Sequence, residues 1–278
     1  MIQQLQTIDG YSGFLSTVMN DPDFRSPHYK SAEEAEEGIC RSLKKKNEQV
    51  LGVFDGAKLT GIFIALLLDE EHYCEMLECY SENREAYREL FVYLQKRCPG
   101  YQIDFVFNPG NRLLQEELRK RGAEFEQEQQ KMLLPDCPET EAYPDVRLLQ
   151  KEDVPGYLAI HDRDLYWTGE KVLATPERFR SFVALADGKV VGYIDVTCCF
   201  DENEPYCLFV KEEYRNRGYG RKLLETAVSA NRPKAMMLLV DTDNLPALKL
   251  YQSIGFQKVE GQNSLTAHLR LKEGIGYE

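Results

Sequence analysis

Between Cys207 and Leu224 the sequence reads as a buried strand through Leu208, Phe209 and Val210, then a turn, then an amphipathic helix with Leu223, Leu224, Ala227 and Val228 on its inner face. The turn is Arg215-x-x-Gly218-x-Gly220. Glycines at a helix N-terminus let backbone N–H groups approach an anion, and the helix dipole adds favourable partial charge there. With Arg215, Arg217, Arg221 and Lys222 around it, the turn suits a phosphate. A glycine pair alone also fits a tight strand-to-helix connection, so the surrounding elements must decide.

Those elements occur twice. Asn244 to Gly255-Phe256 reads as a capped amphipathic helix closed by glycine, and Asn111 to Gly122-Ala123 repeats it with the same Asn-to-Gly separation. A short apolar run precedes each copy, Ile103 to Phe107 and Met237 to Val240, as expected of buried strands. Asp55-Gly56 and Asp187-Gly188 each mark a turn between β-prone runs. Even the starts agree: Ile2, Leu5, Gln6 and Asp9 fall like Val146, Leu149, Gln150 and Asp153. Strand, turn, strand, strand, helix, strand, helix in one repeated order indicates a duplicated domain. The linker is placed in the proline-bearing stretch Leu134 to Pro144, and Gln262 to Arg270 alternates as a final strand.

Arg-x-x-Gly-x-Gly after a Leu-x-Val strand, followed by a strand and the Asn244 to Phe256 helix, resembles the GNAT superfamily of N-acetyltransferases over nearly the whole second half. The resemblance implies an α+β (mixed α/β) chain of two GNAT-like domains, each a mixed, mostly antiparallel twisted sheet flanked by helices. Residues 1–138 form a degenerate copy and 139–278 the N-acetyltransferase domain. It further implies that Arg215, Asn216, Arg217, Gly218, Tyr219, Gly220 and Arg221 form the pyrophosphate loop for acetyl-CoA. The backbone of Leu208, Phe209 and Val210 would pair with the pantetheine arm like an added strand, and Asn244 and Tyr251 match polar positions of the next helix. The strand before the loop splays in such enzymes, so an N–H near Phe209 or Val210 would face the thioester oxygen.

Direct attack in a ternary complex needs a neutral amine, yet an alkyl amine with a pKa near 10.4 is protonated at pH 7, so a base must act. Glu204 is the candidate, with Asp241 a weaker one, although Glu204 closes the acidic run Asp201 to Glu204, typical of a solvated loop. Tyr251 matches the family's acid position and would protonate the departing thiolate. His161 reads as a surface histidine, while Asp162 to Lys171, with Tyr166 and Trp167, can line a pocket for a cationic amine.

In the first copy Glu82-Asn83-Arg84-Glu85-Ala86-Tyr87 stands where the second has Arg215 to Gly220. Both glycines are gone, and Glu85 and Tyr87 are expected to bring side chains into the pyrophosphate space. That copy is therefore expected not to bind acetyl-CoA and to serve as scaffold, homodimer surface or acceptor wall.

Lys and Arg number 34 against 46 Asp and Glu, a net charge of −12 that argues against nucleic acid and anionic membranes as partners. Residues 1–140 hold 16 basic and 25 acidic side chains, so the acidity sits mostly in the first half. The longest apolar run, Ile62 to Leu68, is far shorter than the about 20 residues of a membrane span, and residues 1–7 lack a signal-peptide pattern. The expectation is a cytoplasmic protein. The eight cysteines show neither a CxxC pair nor Cys/His ligand spacing, so no metal is expected. The expected function is acetyl transfer from acetyl-CoA to a primary amine of a small molecule or peptide. The competing class is a non-catalytic CoA-sensing or protein-binding module of the same fold.

Overall fold

The computed structural model describes residues 1–273, so the last five residues of the 139–278 assignment lie outside the described residues. The chain divides into two compact units, one of residues 1–130 with 260 onward, the other Lys131–Val259.

The first unit opens with β1 (Ile2–Gln4), α1 (Ser12–Asn20) and α2 (Ala32–Ser42). The hairpin β2 (Glu48–Asp55) and β3 (Lys58–Leu68) follows, turning at Gly56 with φ +59° where the Asp-Gly pair was read. Next come β4 (Tyr73–Tyr80), α3 (Arg84–Arg97), β5 (Gln102–Phe107), α4 (Arg112–Lys120), β6 (Glu124–Phe125) and β7 (Gln129–Leu134).

In the second unit the elements are β8 (Val146–Leu148), α5 (Val154–Leu158), α6 (Gly169–Ala174), β9 (Phe179–Ala186) and β10 (Lys189–Thr197). They continue through β11 (Glu202–Asn203), β12 (Pro205–Val210), α7 (Tyr219–Asn231), β13 (Ala235–Asp241), α8 (Leu245–Ile254) and β14 (Gln257–Lys258), with β15 (Leu265–Arg270) last.

A seven-stranded sheet in the order β1-β2-β3-β4-β5-β15-β6 organises the first unit, antiparallel except for the parallel pair β4–β5. Phe63, Ala65 and Leu67 enter the core on one face of β3, while Ile62 and Ile64 enter a second core on the other. Burial on both faces is why this strand reads as an unbroken apolar run. Two four-stranded sheets, β12-β10-β9-β8 and β11-β13-β7-β14, make up the second unit. Leu223, Leu224, Ala227 and Val228 of α7 pack with strand residues such as Ile194 and Leu238 in its main core.

The boundaries 1–138 and 139–278 need correction at both ends. β15 follows the second copy in sequence but pairs antiparallel with β5, Leu265 opposite Phe107 through Arg270 opposite Gln102. β7, read as the end of the first copy, pairs with β14 in the second unit through Met132 and Leu133. Each unit's sheet thus contains the other copy's final strand. Strand periodicity shows that a strand exists, and its partner is set by long-range pairing that periodicity does not encode. The presumed linker is also anchored, since Thr140 Oγ1 donates to the Glu225 carbonyl at 3.1 Å and Tyr143 hydrogen-bonds the Glu225 carboxylate.

Candidate active site

The second unit's two sheets part where the chain changes partners. Glu202 and Asn203 pair in parallel with Ala235 and Met236 of β13, and two residues later β12 runs antiparallel to β10. Glu204 stands at this fork. Beyond it β12 is the edge of one sheet and β13 belongs to the other. In the β12–β10 ladder Asp195 opposes Cys207 and Val196 opposes Pro205, leaving Tyr206 as a bulge residue.

The Lys211 N–H donates to the Val191 carbonyl at 2.9 Å, which fixes the alternation of the ladder. Phe209 opposite Tyr193 is therefore turned toward β10, and the backbone groups of Leu208 and Val210 face away from it. Of the two amides expected near the thioester oxygen, Val210 has the outward direction and Phe209 the inward one.

After β12 the chain turns through Glu212–Tyr214, and Arg215 Nε donates back to the Val210 carbonyl at 3.1 Å. Asn216 has φ +60° and Gly218 φ +86°, the left-handed region that glycine enters without strain. Gly218 is the N-cap of α7, and no side chain caps the helix. The first N–H groups of a helix have no partner within it, so this uncapped turn presents donors along a positive dipole end. A Cβ at Gly220 would come no nearer than 4.0 Å to Val210 Cγ2, so the turn is open beside the strand. Arg217 lies over the Tyr214 ring at 5.3 Å. Arg221 is spent on Glu225 at 3.1 Å and Ser253 at 2.5 Å, and Lys222 on Asp145 at 2.6 Å, so fewer of the basic residues serve the turn than their spacing suggested.

Asn244 caps α8 by accepting from the Ala247 N–H at 3.2 Å. Tyr251 is half-buried on α8 against the second unit's core, its ring 5.8 Å from that of Phe256. Burial, and secondarily Cys207, push its phenol above the ordinary value, so it carries its proton at neutral pH. Glu204 is half-buried rather than part of a solvated loop. Its N–H donates to Thr197 Oγ1 at 2.7 Å and its carbonyl accepts from the Thr197 N–H at 2.9 Å. Burial raises its carboxyl pKa, with Lys131 opposing, which moves it toward the range of a working base. Asp241 ends β13, and its carbonyl accepts from the Asn244 N–H at 3.0 Å.

His161 is the clearest departure from the sequence reading: it is buried, not at the surface. Its Nε2 lies 3.1 Å from Asp195 Oδ2 and its Nδ1 2.8 Å from the Asp162 carbonyl. Both partners are acceptors, an arrangement that favours a proton on each ring nitrogen. Burial alone would lower its pKa, but the Asp195 and Asp162 hydrogen bonds outweigh burial and the net direction is upward. Asp195, fully buried, also accepts from Tyr157 at 3.0 Å and Ser181 at 2.5 Å. Tyr193 stacks on His161 at 4.9 Å and contacts Cys207 Sγ at 3.2 Å, so the network backs β12 directly. The sequence hint was Asp195 in the otherwise apolar Val190 to Val196 run. The segment from Asp162 onward, with exposed Tyr166 and with Trp167 5.1 Å from Phe179, hangs from this network.

The first unit's equivalent region is filled from within. Asn83 caps α3 by accepting from Glu85 N–H at 2.8 Å and Ala86 N–H at 3.4 Å, taking the donors that α7 leaves open. Tyr87, aligned with Gly220, is fully buried; it donates to the Ser81 carbonyl and accepts from Asn111 Nδ2, both at 2.7 Å. Glu85, expected to project into the same space, instead pairs with Arg88 at the surface.

No group of side chains suited to a metal ion, and no helix long and apolar enough to cross a membrane, occurs among the described residues. The acetyltransferase (GNAT) domain family matches residues 177–258. The N-alpha-acetyltransferase RimI of Mycobacterium tuberculosis is 40% identical over 81 residues, 27% of this chain and 51% of that protein. This chain thus spans about half the length of that relative. A GCN5-related N-acetyltransferase from Sphaerobacter thermophilus superposes with a TM-score of 0.63 at 14% identity, covering 100% of this chain and 97% of the other. A tandem GNAT protein from the clavulanic acid biosynthesis pathway does so with a TM-score of 0.55 at 13% identity, covering 100% and 99%. At these identities the likeness is one of fold.

Proposed function

We propose that this chain is a GNAT-superfamily enzyme whose second unit transfers the acetyl group of acetyl-CoA to a primary amine by direct attack in a ternary complex, a reading supported by the family match over residues 177–258. The observation that carries the reading is the uncapped N-terminus of α7, opened by Gly218 at φ +86° beside the edge strand β12. Its N–H groups and Arg215 would hold the pyrophosphate, with Asn216, Arg217, Tyr219, Gly220 and the backbone of Arg221 completing the loop. The outward backbone of Leu208 and Val210 would receive the pantetheine arm, with Asn244 on the facing helix.

Glu204, at the fork, takes the proton that the ammonium must lose before the neutral amine can attack, directly or through water. As the nitrogen–carbon bond forms, the Val210 N–H stabilises the charge developing on the carbonyl oxygen. Tyr251 gives its phenolic proton to the sulfur as the carbon–sulfur bond breaks, and the second proton shed by the nitrogen returns through water to the phenolate, so amide and neutral thiol leave. An α-amine of a peptide is the acceptor suggested by the relative's name, and a small-molecule amine fits the same chemistry. The first unit, its cleft taken by Tyr87, contributes no donor site.

Release of free thiol from acetyl-CoA should depend on an added primary amine drawn from a panel of peptides and small molecules. A chain that binds acetyl-CoA but releases no thiol with any amine would move the reading to a CoA-sensing module.

A further inference from the structure

The first unit has a half-open pocket of about 270 Å³ where β4 parts from β5, whose pairing covers only Tyr73 to Met76 with Gln102 to Phe105. Ile64, Leu77 and Val106 give it an apolar lining, and Glu48, Glu75 and Glu78 an acidic one. Glu78, 4% exposed, uses Oε1 on Ser26 Oγ at 3.1 Å and on His28 Nδ1 at 2.9 Å. The Glu48 side chain is 6% exposed; its Oε1 accepts from Lys45 at 2.7 Å, whereas its Oε2 is buried without a hydrogen-bond partner. A buried carboxylate oxygen left unpaired costs free energy that a donor would recover. Burial first, then Asp104 and Glu48, raise the Glu75 carboxyl, with His28 opposing. The remaining lining cation, Arg41, is engaged by the Tyr29 hydroxyl and lies 3.9 Å from Glu37.

We propose that this cavity binds a small primary alkylamine, the ammonium donating to Glu48 Oε2 and Glu75 and the alkyl stem lying on Ile64, Leu77 and Val106. An ammonium offers three donors and no acceptor, which matches walls rich in carboxylate oxygen. The volume is at the small end for ligand sites, so the ligand is of diamine or amino-alcohol size. The site lies wholly within the first unit and does not depend on the acetyl-transfer reading.

Calorimetric titration of the full chain with 1,4-diaminobutane, without acetyl-CoA, tests this. The expected result is saturable binding by the wild type, weakened about tenfold or more in Glu48→Gln and in Glu75→Gln, with no binding of n-butanol. Ser42→Lys, which lines the same cavity from α2, should abolish binding by supplying the cation from within, and covers the case in which a glutamate variant fails to fold. No diamine binding to the wild type, binding unchanged in the folded variants, or equal binding of n-butanol would each overturn the proposal.

Discussion

In the proposed transfer Tyr251 gives a proton and Glu204 takes one, and in both burial moves the pKa upward, which suits an acid that must hold its proton and a base that must take one. Tyr251→Phe should lower kcat about a hundredfold or more while leaving acetyl-CoA binding intact, because only the proton is removed. A purely structural tyrosine would give near-normal turnover. Glu204→Gln should lower kcat and abolish the acid limb of the pH–rate profile, since the base stops working as pH falls through its raised pKa; an unchanged limb would remove Glu204 from the mechanism. The His161–Asp195 pair makes a stability prediction. A raised histidine pKa contributes stability that is full below about 6.5, its unfolded value, and is lost as pH rises through the folded value. Wild-type Tm should therefore fall more steeply above pH 6.5 than that of His161→Gln, and Asp195→Asn should cost about 3–5 kcal/mol by leaving a buried charge unpaired. Parallel Tm curves would show that the ring is neutral.

Helices α3 and α7 occupy matching places in the two copies and differ at their first turn. Asn83 satisfies one, and Gly218 leaves the other open. The loss of the two glycines was legible in the residues, whereas the cap that Asn83 supplies came from the structure. Other features were not legible either. Burial of His161 depends on Asp195, 34 residues away, and the use of Arg221 and Lys222 on Glu225, Ser253 and Asp145 depends on packing that spacing alone does not reveal. In the first unit the buried Glu117 gathers Lys120 at 2.8 Å, Arg121 at 2.7 Å and Arg84 at 3.4 Å, tying α4 to α3. Burial pushes its carboxyl up, but the Lys120 and Arg121 hydrogen bonds prevail and bring it down to about 2. Its contribution is present above the ordinary 4.5 and lost as pH falls toward 2. Glu117→Gln should make acid unfolding shallower across that window and lower stability at pH 7; an acid transition identical to the wild type would contradict the pairing.

For the whole molecule, the duplicated order of elements was readable from capped helices and Asp-Gly turns, whereas the placement of the final strands was not. β15 supplies Leu265, Ala267 and Leu269 to the first unit's core and is the hydrogen-bonding partner of β5 on one side. A chain ending at residue 259 should consequently lose cooperative unfolding of the first unit, read as lost protection of the β5 amides in hydrogen exchange, and retained protection would contradict the assignment. The central claim is that one copy binds acetyl-CoA and the other is closed by its own tyrosine. Gly220→Tyr, at a position with room for the new Cβ, gives the second copy the residue that fills the first. The most direct test is thermal unfolding of the wild type and Gly220→Tyr across an acetyl-CoA titration. The account predicts stabilisation of the wild type by about 2.7 kcal/mol at a hundredfold excess over Kd and none in a folded Gly220→Tyr chain. Equal stabilisation of both, or of neither, would contradict it.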